Sequence, residues 1–256
     1  MKIQIPENLS FIKKHFSGPN QYLVKLGGFK DGGYVADYFS LIRSKVLISG
    51  GVGSNVRFES DFYDINQSVK IVLVDPTVSV IRMIIRGFYH FMKKGQSGFR
   101  SLSEVMNYFF LIQYSKLIKK YLGSNFGIQE ILSGMNLNTT ERNIFVKLDI
   151  EGAEYDLLDN IIALKENLTG VCIEFHDLHQ EQNRVNLQQF LEQLQFTIVH
   201  VSVNEVCVTG NNYPSVLEIS LAPKTTIANA SDQQTPDELY LQASNTFDNE
   251  LIYFIR

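Results

Sequence analysis

The sequence predicts an α/β protein built on a Rossmann-like, mostly parallel sheet. Three observations support this: apolar runs too continuous for a half-exposed sheet, amphipathic helical patterns between them, and a glycine loop directly after the first run. The strand-like runs are Lys45 to Ser49, Val69 to Asp75, Asn143 to Ile150, Gly170 to Phe175 and Phe196 to Val203. Helical spacing links Phe58, Phe62 and Ile65, then Tyr155, Leu158 and Ile162, then Leu187, Leu191 and Leu194, so strand and helix alternate. The last run, Pro214 to Pro223, is separated from Phe196 to Val203 only by a loop containing Gly210-Asn211-Asn212. Without a crossover helix these two strands are expected to pair as an antiparallel hairpin and form an antiparallel edge.

With 256 residues, 45% of them hydrophobic and 20% charged, the chain can bury one sizeable core and is expected to form a single domain over 1–256. A net charge of −4 gives no global field toward nucleic acid, so no nucleic-acid partner is expected. Both cysteines, Cys172 and Cys207, lie in apolar runs that suit reduced, buried thiols, which excludes a disulfide framework. The opening Met1-Lys2-Ile3-Gln4-Ile5-Pro6-Glu7 lacks a signal-peptide core, and no run of about 18 apolar residues could span a bilayer. A cytoplasmic protein is expected. From Val80 to Leu122, eight Lys or Arg residues face one acid, Glu104, which marks a basic helical insertion. Its segment Val105 to Ile112, followed by Lys116, Lys119 and Lys120, suits either a helix packed on the sheet with a solvated basic face or peripheral membrane contact. Beyond Lys224 the chain turns polar, a C-terminal extension over 224–256 too short to be a domain.

The candidate site residues lie where the strand runs end. Ser49-Gly50-Gly51-Val52-Gly53-Ser54 joins a strand to a helix, so Gly50, Gly51, Gly53 and Ser54 could bring backbone N–H groups against a cofactor, or simply make a tight turn. Asp75 ends the next strand about 20 residues later, where a Rossmann-type fold holds ribose hydroxyls; Asp75-Pro76-Thr77 could alternatively start a turn. Asp149 and Glu151 follow the strand Asn143 to Ile150 at a spacing of two, on one face if the turn preserves strand geometry. Gly152 allows the sharp turn, and Glu154 is explained as a first-turn acid favoured by the helix dipole. Glu174 and His176 share a face of the adjacent strand end, where His176 could act as a general base. Asp, Glu and His together could instead hold a divalent cation, or His176 could be a surface residue beside a capping Asp177. Asp31-Gly32 carries a tight hairpin-turn signal, with a lid over the ligand as the functional alternative.

Taken together, these segments resemble the FkbM family of S-adenosylmethionine-dependent methyltransferases. Val146-Lys147-Leu148-Asp149-Ile150-Glu151-Gly152-Ala153-Glu154 is similar to that family's Lys-x-Asp-x-Glu-Gly-Ala-Glu signature, and Glu174-Phe175-His176 to its next strand end. Asn211-Asn212-Tyr213-Pro214 with Val216-Leu217-Glu218-Ile219 resembles its closing hairpin, while Asp31-Gly32-Gly33-Tyr34, Gly51-Val52-Gly53 and Asp75-Pro76-Thr77 resemble a subgroup. The resemblance covers about residues 25 to 223 and implies a class I methyltransferase fold with a seven-stranded sheet. It also implies S-adenosylmethionine as cofactor and O-methylation of a small-molecule or glycan hydroxyl. Two features depart from it: Ser49 stands where an acid often ends the first strand, so the methionine end of the cofactor is expected to be held differently, and the basic stretch is longer than the usual link. The missing acid keeps a second function open, a non-catalytic binding or scaffolding protein that uses the basic insertion on a membrane or partner. Gly50-Gly51-Val52-Gly53 lacks the full G-x-G-x-x-G spacing, which disfavours NAD.

Overall fold

The computed structural model describes residues 2–4, 6–16, 22–27, 33–53, 55–78, 109–135, 141–204, 214–224 and 251–255. In chain order these form β1 (Lys2–Gln4), β2 (Leu23–Leu26), β3 (Tyr34–Asp37), α1 (Tyr38–Arg43), β4 (Val46–Gly50), α2 (Arg57–Ile65), β5 (Lys70–Val74) and β6 (Ser115–Ile118). There follow α3 (Ile128–Ser133), β7 (Ile144–Leu148), α4 (Leu158–Ala163), β8 (Leu168–Phe175), α5 (Glu181–Leu194), β9 (Thr197–Asn204), β10 (Leu217–Ala222) and β11 (Leu251–Ile255). Glu7–His15 and Ala153–Leu157 are 3₁₀ turns.

The main sheet runs β1-β11-β9-β10-β8-β7-β4-β5-β6. Its inner seven strands, β9 to β6, are parallel except β10, which pairs antiparallel with both β8 and β9. This order, with one antiparallel strand inserted among parallel ones, is that of the Rossmann-like class I methyltransferase fold. The hairpin of β9 and β10 therefore forms as expected, with Leu217 opposite Val203 and Ala222 opposite Thr197. It does not form an antiparallel edge: β10 is buried along its whole length because it fills the gap beside β8, and β9 lies outside it. The C-terminal extension contributes β11, which runs parallel to β9, and β1 pairs with β11.

Both sheet faces are covered, which explains the unbroken apolar runs. Along β4, Val46 and Ile48 enter one core while Leu47 enters the other; along β7, Ile144, Val146 and Leu148 separate from Phe145 in the same way. This is strand alternation with both faces buried. On one side lie α3, α4 and α5, the last seated through Leu187, Phe190, Leu191 and Leu194; on the other lies α2, seated through Phe58 and Phe62. Helix α1 starts at Asp37, whose Oδ2 accepts the N–H of Ser40 at 2.8 Å. The pattern through Tyr155, Leu158 and Ile162 is split between a 3₁₀ turn and α4 rather than one helix.

Two expectations change. The strands flanking Asp31-Gly32 do pair, Leu26 opposite Tyr34, but seven residues separate them, so the connection is longer than a tight turn. The basic stretch ends as a strand of the sheet, since Ser115–Ile118 pairs in parallel with β5. At this sheet edge the strand is only half buried and carries Lys116, so it offers no continuous apolar run to recognise. Within the same stretch, residues 109–114 are helical and 80–108 lie outside the described residues, as do Ser54, Asp31, Gly32 and Cys207. No described helix is long and apolar enough to cross a membrane.

Candidate functional site

Successive connections leave the sheet in opposite directions from β4, toward β5 on one side and β7 on the other, which makes the C-terminal ends of β4 and β7 the switch point where open α/β sheets bind ligands. The two loops there are fastened together. The N–H of Asp149 donates to Gly50 O at 3.1 Å, and a Cβ on Gly51, which has a φ of +72°, would overlap the carbonyl of Asp149. Gly50 is equally enclosed, with Leu122 and Leu148 against it. Gly51 and Gly50 thus serve close packing, whereas Gly53, at a φ of +57°, faces open space.

Asp75 stands across from this loop and is satisfied by the chain itself. Its Oδ2 accepts the N–H of Gly53 at 2.7 Å, and its Oδ1 accepts both the N–H and the hydroxyl of Thr77 at 2.6 Å. Among the described residues these three bonds leave one of roughly four acceptor positions on the carboxylate, enough for a ribose hydroxyl. The turn and cofactor interpretations of Asp75 are therefore compatible.

Beneath the switch point lies a buried charge cluster that the motifs did not reveal. Lys147, 4% exposed, points its ammonium at Asp149 (3.5 Å) and at the carbonyl of Gly51 (3.5 Å), above the ring of Tyr34. Burial pulls its pKa down, but Asp149, Glu59 and Glu174 more than offset this and hold it above the ordinary lysine value. Burial likewise pushes Asp149 up, yet Lys147, a hydrogen bond from Glu174 and His176 together keep its carboxyl below the ordinary value. Glu59 comes from α2, is fully buried and accepts the Ser49 hydroxyl at 2.5 Å, while its second oxygen has no partner among the described residues. Ser49 thus has a buried acid from the helix hydrogen-bonded to it. Burial raises the pKa of Glu59, with Lys147 and the Ser49 bond opposing. The sequence held a signal for Glu59: it stands three residues before Phe62, on the helix face that enters the core.

Next to this cluster, Asp149, Glu151 and His176 each offer a ligand atom, all within 4.8 Å of one another. Their convergence is made by a turn rather than by strand alternation, because β7 ends at Leu148 and Glu151 sits in the left-handed region at a φ of +53°. Glu174 does lie beside His176 as expected, 3.9 Å from Nε2. Glu154 corrects the helix-dipole explanation. It is fully buried and accepts the N–H of Gly152 at 2.8 Å and of His176 at 2.7 Å, with His176 Nδ1 at 3.2 Å. The Tyr155 hydroxyl donates to the His176 carbonyl at 2.6 Å, so His176 is anchored through backbone and ring rather than loose on the surface. Burial lowers the His176 pKa, but Glu154, Glu151 and Asp149 outweigh this and raise it. Cys172 is buried and free, its thiol pushed up to about 12 by burial, as a structural thiol should be.

No family model and no curated protein matches the chain. Among solved structures it is similar to precorrin-6y C5,15-methyltransferase from Geobacter metallireducens GS-15, at 14% identity and a TM-score of 0.39 over 72% of this chain and 84% of that one. It is also similar to a fibrillarin/Nop5p complex (12% identity, TM-score 0.37, 71% of this chain and 73% of that one). A third is an uncharacterized protein from Listeria monocytogenes serotype 4b (12% identity, TM-score 0.37, 86% and 68%). At these scores the similarities carry no argument about activity, and the fold assignment stands on the strand order.

Proposed function

We propose that this chain is an S-adenosylmethionine-dependent O-methyltransferase acting on a hydroxyl of a sugar or glycan intermediate. The observation that carries the proposal is the meeting, at one switch point, of a glycine loop open at Gly53 with the Asp149, Glu151 and His176 cluster. The residues present fit the cofactor: Gly53 leaves room against the loop, and Asp75 keeps one acceptor position among the described residues. Bound there, S-adenosylmethionine supplies a methyl group on a sulfonium, open to in-line displacement. The protein then has to hold the acceptor oxygen in line and exclude water. Asp149, kept ionised by Lys147, accepts a hydrogen bond from the acceptor hydroxyl and orients it. His176, with Nδ1 turned to Glu154, presents Nε2 to take up the hydroxyl proton as the new carbon–oxygen bond forms.

Isothermal titration of the full chain with S-adenosylmethionine, its demethylated product and NAD tests this. Binding of the first two but not NAD, weakened at least tenfold in Asp75→Ala, is expected. Failure of both to bind would move the assignment to the second function, a non-catalytic binding protein. The observation favouring that one is the exposure of Phe110, Tyr114 and Tyr121 beside Lys116, Lys119 and Lys120. It predicts salt-sensitive binding to anionic vesicles.

A further inference from the structure

We propose that Asp149, Glu151 and His176 form a binding site for a hard divalent cation of the Mg²⁺ or Mn²⁺ type. Two carboxylates and one imidazole, with ligand atoms within 4.8 Å of one another, match the spread of positions around one small ion, and the donor set is oxygen-rich. Asp149 and Glu151 reach it from the turn after β7 and His176 from the end of β8, and they differ in exposure: Asp149 and His176 are mostly covered at 17% and 14%, while Glu151 at 86% leaves the site open to entry.

Two features outside the three ligands point the same way. The first is Glu154. It is fully buried, already accepts two backbone N–H groups, and lies 3.2 Å from His176 Nδ1. An acceptor-only carboxylate there fixes the proton on Nδ1 and turns the lone pair of Nε2 toward Glu151 Oε2, 3.5 Å away. This is the arrangement by which a carboxylate orients a metal-binding histidine. The second is Tyr34, 1% exposed, whose hydroxyl has no hydrogen-bond partner among the described residues. Its ring lies 5.5 Å from the Lys147 ammonium, which in turn reaches Asp149 at 3.5 Å, so this donor without an acceptor stands on the inner side of the site. A cation with its coordinated water would provide that acceptor oxygen.

Three protein ligands leave about three of six octahedral positions for water or for an acceptor oxygen. That the acceptor occupies them rests on the methyl-transfer proposal, and with Nε2 held by the ion it would be the ion, in place of His176 as base, that eases loss of the hydroxyl proton; the cation site itself does not rest on that proposal. The test is therefore run on the full chain without S-adenosylmethionine. Mn²⁺ is titrated at pH 7.5 and the free ion followed by electron paramagnetic resonance, with Mg²⁺ as competitor.

One saturable site is expected, weakened at least tenfold in Glu151→Gln, an exposed position that should fold normally, and about 10- to 100-fold in Glu154→Gln. Circular dichroism checks that both variants are folded. Absence of saturable binding, or affinity unchanged in both variants, overturns the cation site. Mn²⁺ binding without S-adenosylmethionine binding would keep the site and reject the methyltransferase assignment; the reverse pattern would reject only the site.

Discussion

The ends of β4 and β5 carry the glycine loop and Asp75, while the ends of β7 and β8 carry Asp149, Glu151, Glu174 and His176, and the two regions satisfy their acids differently. Asp75 has three donors from its own chain, all from adjacent turns, so its local structure is complete before any ligand arrives. On the other side, Asp149 and Glu174 are held by a single buried cation, Lys147, and by each other, and Glu151 projects into solvent near His176. The first region is built as a preformed wall. The second gathers Asp149, Glu151 and Glu174 around Lys147 and His176, an assembly of titratable groups that suits a site receiving a proton, a cation or a polar acceptor.

The largest expected effect comes from removing the cation that holds the second region together. Lys147→Met should cost about 3–5 kcal/mol, because it leaves buried carboxylates uncompensated. Urea denaturation measures this, and a loss below about 1 kcal/mol would mean that another group neutralises the cluster. Asp149→Asn separates chemistry from stability: turnover should fall about 100-fold while S-adenosylmethionine affinity stays within about threefold. Equal losses in both would place Asp149 in the cofactor wall and erase the distinction between the regions.

A matched pair of substitutions sharpens the contrast within the glycine loop. Gly53→Ala, with a φ of +57° but open space, should cost only the left-handed penalty of roughly 1–2 kcal/mol. Gly51→Ala, at +72°, carries a similar penalty and must also displace the Asp149 carbonyl, so it should destabilise more and lower turnover as well. If the two variants are equally stable, the loops are not fastened as described.

The smallest effect is in the pH dependence. His176 binds its proton more tightly in the folded chain than at its ordinary value of 6.5. Its contribution to stability is therefore complete below about pH 6.5 and declines as pH rises through the higher folded value. Thermal melts across pH 6 to 9 should show that decline, and Glu154→Gln should flatten it. A profile insensitive to Glu154 would remove it as the anchor of His176.

Some of this was legible in the sequence because it depends on local spacing. Val46, Leu47 and Ile48 are all apolar since both sheet faces are covered, and Leu187, Leu191 and Leu194 mark one helix face whatever it packs against. Gly51 and Gly53 occupy the left-handed region that a strand-to-helix turn demands. Ser115–Ile118 escaped because an edge strand buried on neither face fully has no periodic apolar signature. Glu154 was misassigned for another reason: a first-turn acid looks the same in sequence whether it faces solvent or reaches 22 residues along the chain to His176.

By itself, then, the sequence determined the alternation of strands and helices, the order of the chemical motifs and the strand ends where they lie, because periodicity and turn residues act over a few positions. Only the tertiary structure decided that β10 slides between β8 and β9, and that Glu59 from α2 bonds to Ser49. It likewise decided that Lys147 sits buried among carboxylates from three different segments. These outcomes depend on which distant surfaces pack together and how buried charges find partners there, a long-range balance that no local spacing encodes.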